Sequence, residues 1–366
     1  MTCDLLTVFT RVGGGHKSAA LAVAERAREE GMAAESRDIF DLGPRLFGDA
    51  YLKWHLETTS RSPKLYGRAY FGSNQRGGAL EPLRLTLDRV LFRKLLGEVE
   101  RIAPRVIVAT HHIPLVVLGR ARRKGLLNVP VIGVVTDYTA HAVWAERGVD
   151  AFCTASALPT WELYMHGVAR EKIVRTGIPV RPAFEHIARV RDPLASEPLR
   201  VLVTSGGFGV GPLREIVRSC AAIPNVALTV VCGASEELRA RVAADLAGTN
   251  AHVIGFERDM PARVADAHVV VGKAGGLTVS ETLTAGRPMI IVGTVPGNEQ
   301  QNENFVTAGR AGYACAPHEV GARLAAMRAS SEITAMGSRA RALVTHASAT
   351  RVLALCNTLA PTSRAA

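Results

Sequence analysis

"VGKAGGLTVSETLTAGRP" occupies Val271–Pro288 of a 366-residue chain. It reads as a strand end, a glycine turn, a short helix and a glycine stop. Apolar runs flank it, "AHVVVG" (267–272) before and "PMIIVG" (288–293) after. A strand, a crossover helix and a second strand form a parallel βαβ unit. The fold class that follows is α/β, with a parallel sheet covered on both faces.

The same alternation extends outward in both directions. Upstream lie "LRVLVTSGGFG" (199–209), "VALTVVCG" (226–233) and "AHVIGF" (251–256), with helical patterns near 212–222 and 235–247. The N-terminal half repeats the scheme. "LLTVFT" (5–10) precedes "RVGGGHK" (11–17) and an alanine-rich helical pattern that stops at Gly31. "RVIVAT" (105–110), "VPVIGVVTD" (129–137) and "AFCTAS" (151–156) read as further buried strands. The stretch 176–198 is rich in proline and charge and reads as a linker. We expect two doubly wound Rossmann-like domains facing a cleft: 1–180, a linker at 181–198, and 199–344. A C-terminal helix at about 345–366 is expected to pack back on the first domain. Ligands of such sheets bind beyond the carboxyl ends of the strands.

Length and composition agree with two globular domains. The net charge is +11, and 16 Lys/Arg against 6 Asp/Glu fall between Gly43 and Pro130. One basic segment suggests one face meeting something anionic, either nucleic acid or an acidic membrane. Six scattered cysteines show no Cys-x-x-Cys or Cys/His metal spacing, which suits reduced thiols in a cytoplasmic protein. There is no signal-peptide pattern, and no apolar run long enough to span a bilayer. The segment 44–80 is aromatic and basic and fits the alternation poorly. "LEPLRLTLDRVLFRKLLGEVERI" (80–102) is an amphipathic helix whose ordinary role is packing on the sheet.

Several turns could carry chemistry. "GGGH" (13–16) joins a strand to a helix, so backbone N–H groups and His16 stand at a helix start. His16 reads as a general base, a donor to an anion, or a polar cap. "TSGGFG" (204–209) is a second such turn. In the opening stretch, Thr278-x-x-Glu281 has the form of a capping box. The rival role for Glu281 is to accept bonds from the two hydroxyls of a ribose. "PGNEQQNEN" (296–304) reads as an amide-rich loop suited to sugar hydroxyls, or as plain surface. "TDYTAH" (136–141) brings Asp137 and His141 to a strand end, where Asp137 could also cap a helix. No Asp-x-Asp, metal-spaced His cluster or Gly-x-Ser-x-Gly elbow occurs. A departing diphosphate would then rely on backbone N–H groups, helix ends and cations.

"GGGH", "VVTDYTAHAVW", "TGIPVR" and "GKAGGLTVSETLTAGRPMIIVGTVPGNEQQNEN" together resemble the monogalactosyldiacylglycerol synthases and bacterial processive diacylglycerol glucosyltransferases. More distantly, the chain is similar to the N-acetylglucosaminyltransferase of lipid II synthesis. The resemblance implies a two-domain B-type (GT-B) glycosyltransferase that moves a hexose, with inversion, from a UDP-sugar to a membrane lipid. Its N-terminal domain would take the acceptor and its C-terminal domain the nucleotide. Glu281 matches the glutamate that binds ribose, and Gly255 and Phe256 the backbone that reads uracil. Gly275, Gly276, Leu277 and Thr278 would face the diphosphate, helped by Ser205, Gly206 and Gly207. Glu299 and Asn302 match positions at the donor sugar or its phosphates; Gln300 is expected on the donor side with them, although it and Gln301 depart from the glucosyltransferase pattern. Asn298 stands where the glucosyltransferase pattern commonly has Gln, which leaves the sugar open. His16 matches the histidine that acts near the acceptor hydroxyl, and we expect Asp137 beside it to share the proton removal. Gly14 and Gly15, with Trp54, Tyr66 and Tyr70, fall on the acceptor and membrane side.

The partners this implies are a UDP-sugar, a lipid acceptor and an anionic membrane surface, with no nucleic acid, cofactor or metal. The implied location is cytoplasmic, peripheral on the inner face of the cell membrane. An epimerase-like isomerase of UDP-N-acetylglucosamine, a transferase acting on a soluble acceptor and a non-catalytic UDP-sugar sensor remain rival readings.

Overall fold

The structure, a computed structural model, describes residues 3–12, 14–42, 93–206 and 212–361. The chain divides into two compact units. The first takes Met1–Pro182, Pro296–Asn298 and Thr345–Ala366, and the second takes Ala183–Val295 and Glu299–Val344.

In the first unit, β1 (Leu5–Phe9), β2 (Ala34–Asp38), β3 (Val106–Ala109), β4 (Val131–Val134), β5 (Ala151–Thr154) and β6 (Ile173–Arg175) form one sheet. Its order is β2-β1-β3-β4-β5-β6, and every pairing is parallel. Period-two alternation sends neighbouring side chains to opposite faces. Leu6, Val8 and Ile107 fill one core, and Leu5, Val106 and Val108 fill the other. Two helices cover this second face. Gly15–Glu29 supplies Val23 and Ala27, and Ser348–Leu359 supplies Val352, Leu353 and Cys356. The helical residues 93–102 lay Leu95, Val99 and Ile102 into the first core. That part of the amphipathic segment therefore packs on the sheet.

In the second unit, β7 (Leu199–Thr204), β8 (Val226–Val231), β9 (His252–Ile254), β10 (Val269–Gly272), β11 (Met289–Ile291) and β12 (Gly312–Ala314) form another parallel sheet. Its order is β12-β11-β10-β7-β8-β9. Read from the far edge, this is the 3-2-1-4-5-6 order of a doubly wound dinucleotide-type fold. Leu199, Val201, Val203, Val269 and Val271 share one core with Leu213, Ile216, Val217 and Cys220 of the helix Leu213–Ala221.

Each sheet reverses its winding at one point, between β1 and β3 in the first unit and between β7 and β10 in the second. Loops leaving such strands splay apart and leave a crevice at their carboxyl ends. All three glycine turns singled out in the sequence belong to switch-point strands, with Gly14–His16 after β1, Ser205–Gly206 after β7 and Gly275–Gly276 after β10.

All six cysteines are free thiols, and burial pushes those of Cys153 and Cys220 up to about 12. Among the described residues, no helix is long and apolar enough to cross a membrane, and no group of three His, Cys, Asp or Glu could hold a metal ion.

Candidate functional site

In the first unit the site forms at the ends of β1, β3 and β4. Gly14 takes φ +65° at the N-cap of the helix Gly15–Glu29, a conformation that glycine adopts without strain. This places His16 in the first turn of that helix. His16 Nδ1 lies 2.9 Å from the carbonyl oxygen of Thr110 and 2.8 Å from Thr136 Oγ1. A carbonyl oxygen only accepts, so Nδ1 carries the proton and Nε2 of the neutral ring carries the lone pair. Thr110 Oγ1 returns a bond to the His16 carbonyl at 2.8 Å.

A second histidine, His111, stands against His16, and a third, His112, stands against His111. His111 meets His16 edge to face, with ring centroids 4.4 Å apart, and is itself 4.1 Å from His112. His111 Nδ1 accepts the Ile113 N–H at 3.1 Å and so caps the helix His112–Arg123. The sequence reading passed over this pair. The available signal was its place, since "THH" (110–112) follows directly on the switch-point strand β3. Thr136 was missed for the same reason.

Asp137 is half-buried, and its Oδ2 accepts a bond from Asn298 Nδ2 at 3.0 Å within the first unit. His141 caps the short turn Ala142–Trp144 through Nδ1. The loop carrying these groups is tied down by Glu162, whose carboxylate accepts from Thr139 Oγ1 at 2.9 Å and from the Ala140 N–H at 2.6 Å. Trp54, Tyr66, Tyr70 and Gly207 lie outside the described residues.

In the second unit the site begins where β10 ends. Gly272 pairs with Thr204 of β7, and a Cβ there would come within 2.9 Å of the Thr204 carbonyl oxygen. The chain then passes Lys273 and enters the helix Gly276–Thr284, with Gly275 as N-cap and no side-chain cap. Thr278 therefore does not start the helix, and the expected capping box is absent. The glycine pair bends the chain into the helix a turn earlier than the Thr signal suggested.

The first-turn N–H groups of this helix are available to an anion. Leu277 turns its side chain inward, so only its backbone could take part. Within the helix, Thr278 and Glu281 alone are not buried. They sit three residues apart on the stripe that begins at Gly275.

The expected amide loop is also different. Residues Asn298–Ala308 are helical, which spreads the amides around the helix instead of gathering them in one loop. Glu299 Oε2 accepts the Val295 N–H at 2.8 Å. Burial pushes the Glu299 carboxyl up, opposed by the nearby charge of Lys273. Gln300 bonds Glu303 along the same helix. Asn302 is fully buried and donates to the Ala274 carbonyl at 2.8 Å. That bond holds the glycine turn in place. Ser205 is buried too, with its hydroxyl on the Val231 carbonyl at 3.2 Å, and Gly206 follows with φ +72°. Gly255 and Phe256 follow β9 directly, and the Phe256 ring is exposed.

Comparison with known proteins assigns both units. Residues 16–180 match the family model for monogalactosyldiacylglycerol (MGDG) synthase, and residues 200–356 match the glycosyltransferase family 28 C-terminal domain. A processive diacylglycerol β-glucosyltransferase of Bacillus cereus is 26% identical over 82% of this chain and 79% of its own length. Among solved structures, MurG of Acinetobacter baumannii superposes with a TM-score of 0.65 at 18% identity, covering 97% of this chain and 99% of that one. A putative UDP-N-acetylglucosamine 2-epimerase of Listeria monocytogenes superposes at 0.61 with 12% identity, covering 98% and 96%. The structural likenesses show the fold, which transferases and epimerases share, whereas the family models and the sequence relative separate the two classes. With the MGDG synthase model matching the first unit and the family 28 model the second, the chain is a UDP-sugar-dependent glycosyltransferase of the two-domain B fold.

Proposed function

We propose that this enzyme transfers a hexose, with inversion, from a UDP-sugar to a membrane lipid such as diacylglycerol or a glycolipid. The observation that carries the mechanism is the Nδ1–H of His16 held on the Thr110 carbonyl, which leaves Nε2 as the basic atom. The acceptor is inferred from the named activity of the sequence relative. In this reading 1–180 is the acceptor domain, 181–198 the linker and 199–344 the donor domain.

The acceptor hydroxyl gives its proton to His16 Nε2 as its oxygen bonds the anomeric carbon. The bond from that carbon to the phosphate oxygen breaks on the opposite side, and its electron pair leaves with UDP. General-base help of this kind is worth ~10²–10⁴-fold. Asp137 already accepts an amide from Asn298, so it is assigned to positioning rather than to proton removal. The N–H groups of Gly276 and Leu277 and the ammonium of Lys273 take up the charge growing on the diphosphate. Glu281 binds the ribose hydroxyls, and the backbone at Gly255–Phe256 reads uracil. A peripheral position on the cytoplasmic face of an anionic membrane follows from the acceptor.

The test is purified protein with a panel of UDP-sugars and a total lipid extract, read by mass spectrometry. A new hexosyl lipid is the expected product. Epimerised UDP-sugar in the absence of acceptor, turnover only of soluble acceptors, or binding with no turnover would each replace this reading.

A further inference from the structure

The helix Ala157–Met165 follows β5 and carries Leu158, Trp161, Tyr164 and Met165. These are 37%, 58%, 54% and 59% exposed, far above what large apolar side chains show in a core. At about 100° per residue they share an arc of roughly 120° on one side of the helix. That arc holds no charged side chain. The single carboxylate of the helix, Glu162, lies about 40° beyond the Leu158 edge of the arc and is bonded by Thr139 and Ala140.

The chain then runs through Arg170, Glu171 and Lys172 to the edge strand β6, where Val174 and Arg175 are exposed. Two exposed cations, Arg170 and Arg175, thus follow the helix with one exposed carboxylate, Glu171, while Lys172 Nζ is held on the Val149 carbonyl at 2.8 Å. Arg170 and Arg175 are both exposed and form no ion pair among the described residues.

We infer that this face docks on an anionic lipid bilayer. The composition fits that solvent. Trp and Tyr settle at the headgroup level, Leu and Met reach the acyl boundary, and a cationic rim meets anionic lipid. The position fits as well. Through Glu162 the same helix anchors the 136–141 loop, which carries the Thr136 hydroxyl that meets His16. Docking here therefore fixes the acceptor site of the first unit relative to the membrane surface. The inference rests on the reading that the acceptor is a membrane lipid. It uses none of the residues of the basic segment 44–80.

The experiment is vesicle flotation of the full chain without UDP-sugar. It compares phosphatidylcholine vesicles with mixed phosphatidylcholine–phosphatidylglycerol vesicles. The wild-type chain is expected to float with the mixed vesicles and to be released by salt. The double variant Trp161→Ser, Met165→Ser should bind at least ~10-fold more weakly, since each removes a large side chain from the headgroup layer. Arg170→Ser with Arg175→Ser should weaken binding to the mixed vesicles alone. Because all four side chains are surface-exposed, thermal unfolding should be unchanged and serves as the folding control. Flotation unaffected by both double variants would overturn the docking face. So would a wild-type dimer that the Trp161→Ser, Met165→Ser variant converts to monomer, which would assign the face to a second copy. Flotation reads no chemistry. A chain that floats through this face yet transfers no sugar sustains the face and sinks the catalytic reading alone.

Discussion

His16 Nδ1 stands 2.9 Å from the carbonyl oxygen of Thr110, a contact that joins the helix after β1 to the end of β3. It fixes one tautomer of the ring and aims the reading of His16 at its other nitrogen. His16→Ala should lower kcat by ~10²–10⁴-fold, the range for a lost general base. UDP affinity should stay within about twofold, because the nucleotide site belongs to the second unit in this reading. Calorimetric titration with UDP beside steady-state kinetics separates the two. Retention of wild-type turnover would sink the assignment.

Thr136 Oγ1 is the second group on the same nitrogen, at 2.8 Å. Thr136→Val keeps the shape of the side chain and removes the hydroxyl. A net hydrogen bond is worth about 1 kcal/mol, so kcat should fall roughly fivefold with the UDP-sugar KM unchanged. The acid limb of the pH–rate profile should move with it, and Thr136→Ser should restore both. A uniform loss of folded protein, with normal kcat for what remains, would reduce Thr136 to a core residue.

Glu281 shares with Thr278 the only partly exposed stripe of a helix that is otherwise buried. Since Gly275 is the N-cap, Glu281 has no capping box to close. Glu281→Gln should weaken UDP binding by roughly tenfold, the cost of losing charged hydrogen bonds of about 1.5 kcal/mol or more. The unfolding temperature should change little. Loss of stability with intact UDP affinity would return Glu281 to a structural role.

Much of this was legible in the sequence, and the gaps have physical causes. The βα alternation was readable because parallel strands buried on both faces are continuous apolar runs, as in "RVIVAT" and "PMIIVG". The helix start at Gly276 was misplaced because Thr278-x-x-Glu281 has the letters of a cap, while the backbone is turned earlier by two glycines. The helix Asn298–Ala308 read as a loop because its polar residues show no apolar stripe, and Asn302 and Val306 alone are buried. His111, His112 and Thr136 escaped because their meaning depends on which strands are neighbours. Only the order β1-β3-β4 brings His111 and Thr136 to His16, with His112 behind His111.

Arg287 closes the stretch on which the sequence reading began, and it is 3% exposed. Its guanidinium donates to five carbonyls, of Ala188, Val264, Ala265, Ala267 and Ala285. Three of these lie at the end of the helix Met260–Asp266, and Ala285 is the C-cap of the helix Gly276–Thr284. Burial pulls its pKa down to about 10, with Arg200 and Arg341 adding to the effect. Arg287→Met fills the space but leaves those carbonyls without their donor. The loss should be about 3 kcal/mol, read as a lower urea midpoint at unchanged slope. A variant as stable as wild type would show that the carbonyls find water instead.

His268, the residue directly before β10, supplies a pH dependence. It is 1% exposed, its Nδ1 accepts the Arg200 N–H at 3.0 Å, and its Nε2 is buried with no hydrogen-bond partner. Burial, reinforced by Arg200 and Arg191, lowers its pKa to about 4 from 6.5. Above pH 6.5 the ring is neutral in both folded and unfolded chains, and it adds no pH dependence. Between 6.5 and 4 the unfolded chain binds a proton that the folded chain refuses, so stability falls as pH falls. Below about 4 both forms are protonated and the effect levels off. From pH 7 to pH 4.5 the loss should be about 2 kcal/mol. His268→Asn offers an amide oxygen to the Arg200 N–H and has no proton to gain. Urea unfolding at the two pH values should therefore show a smaller drop for the variant than for wild type. Equal drops in the two proteins would assign the acid sensitivity to other groups.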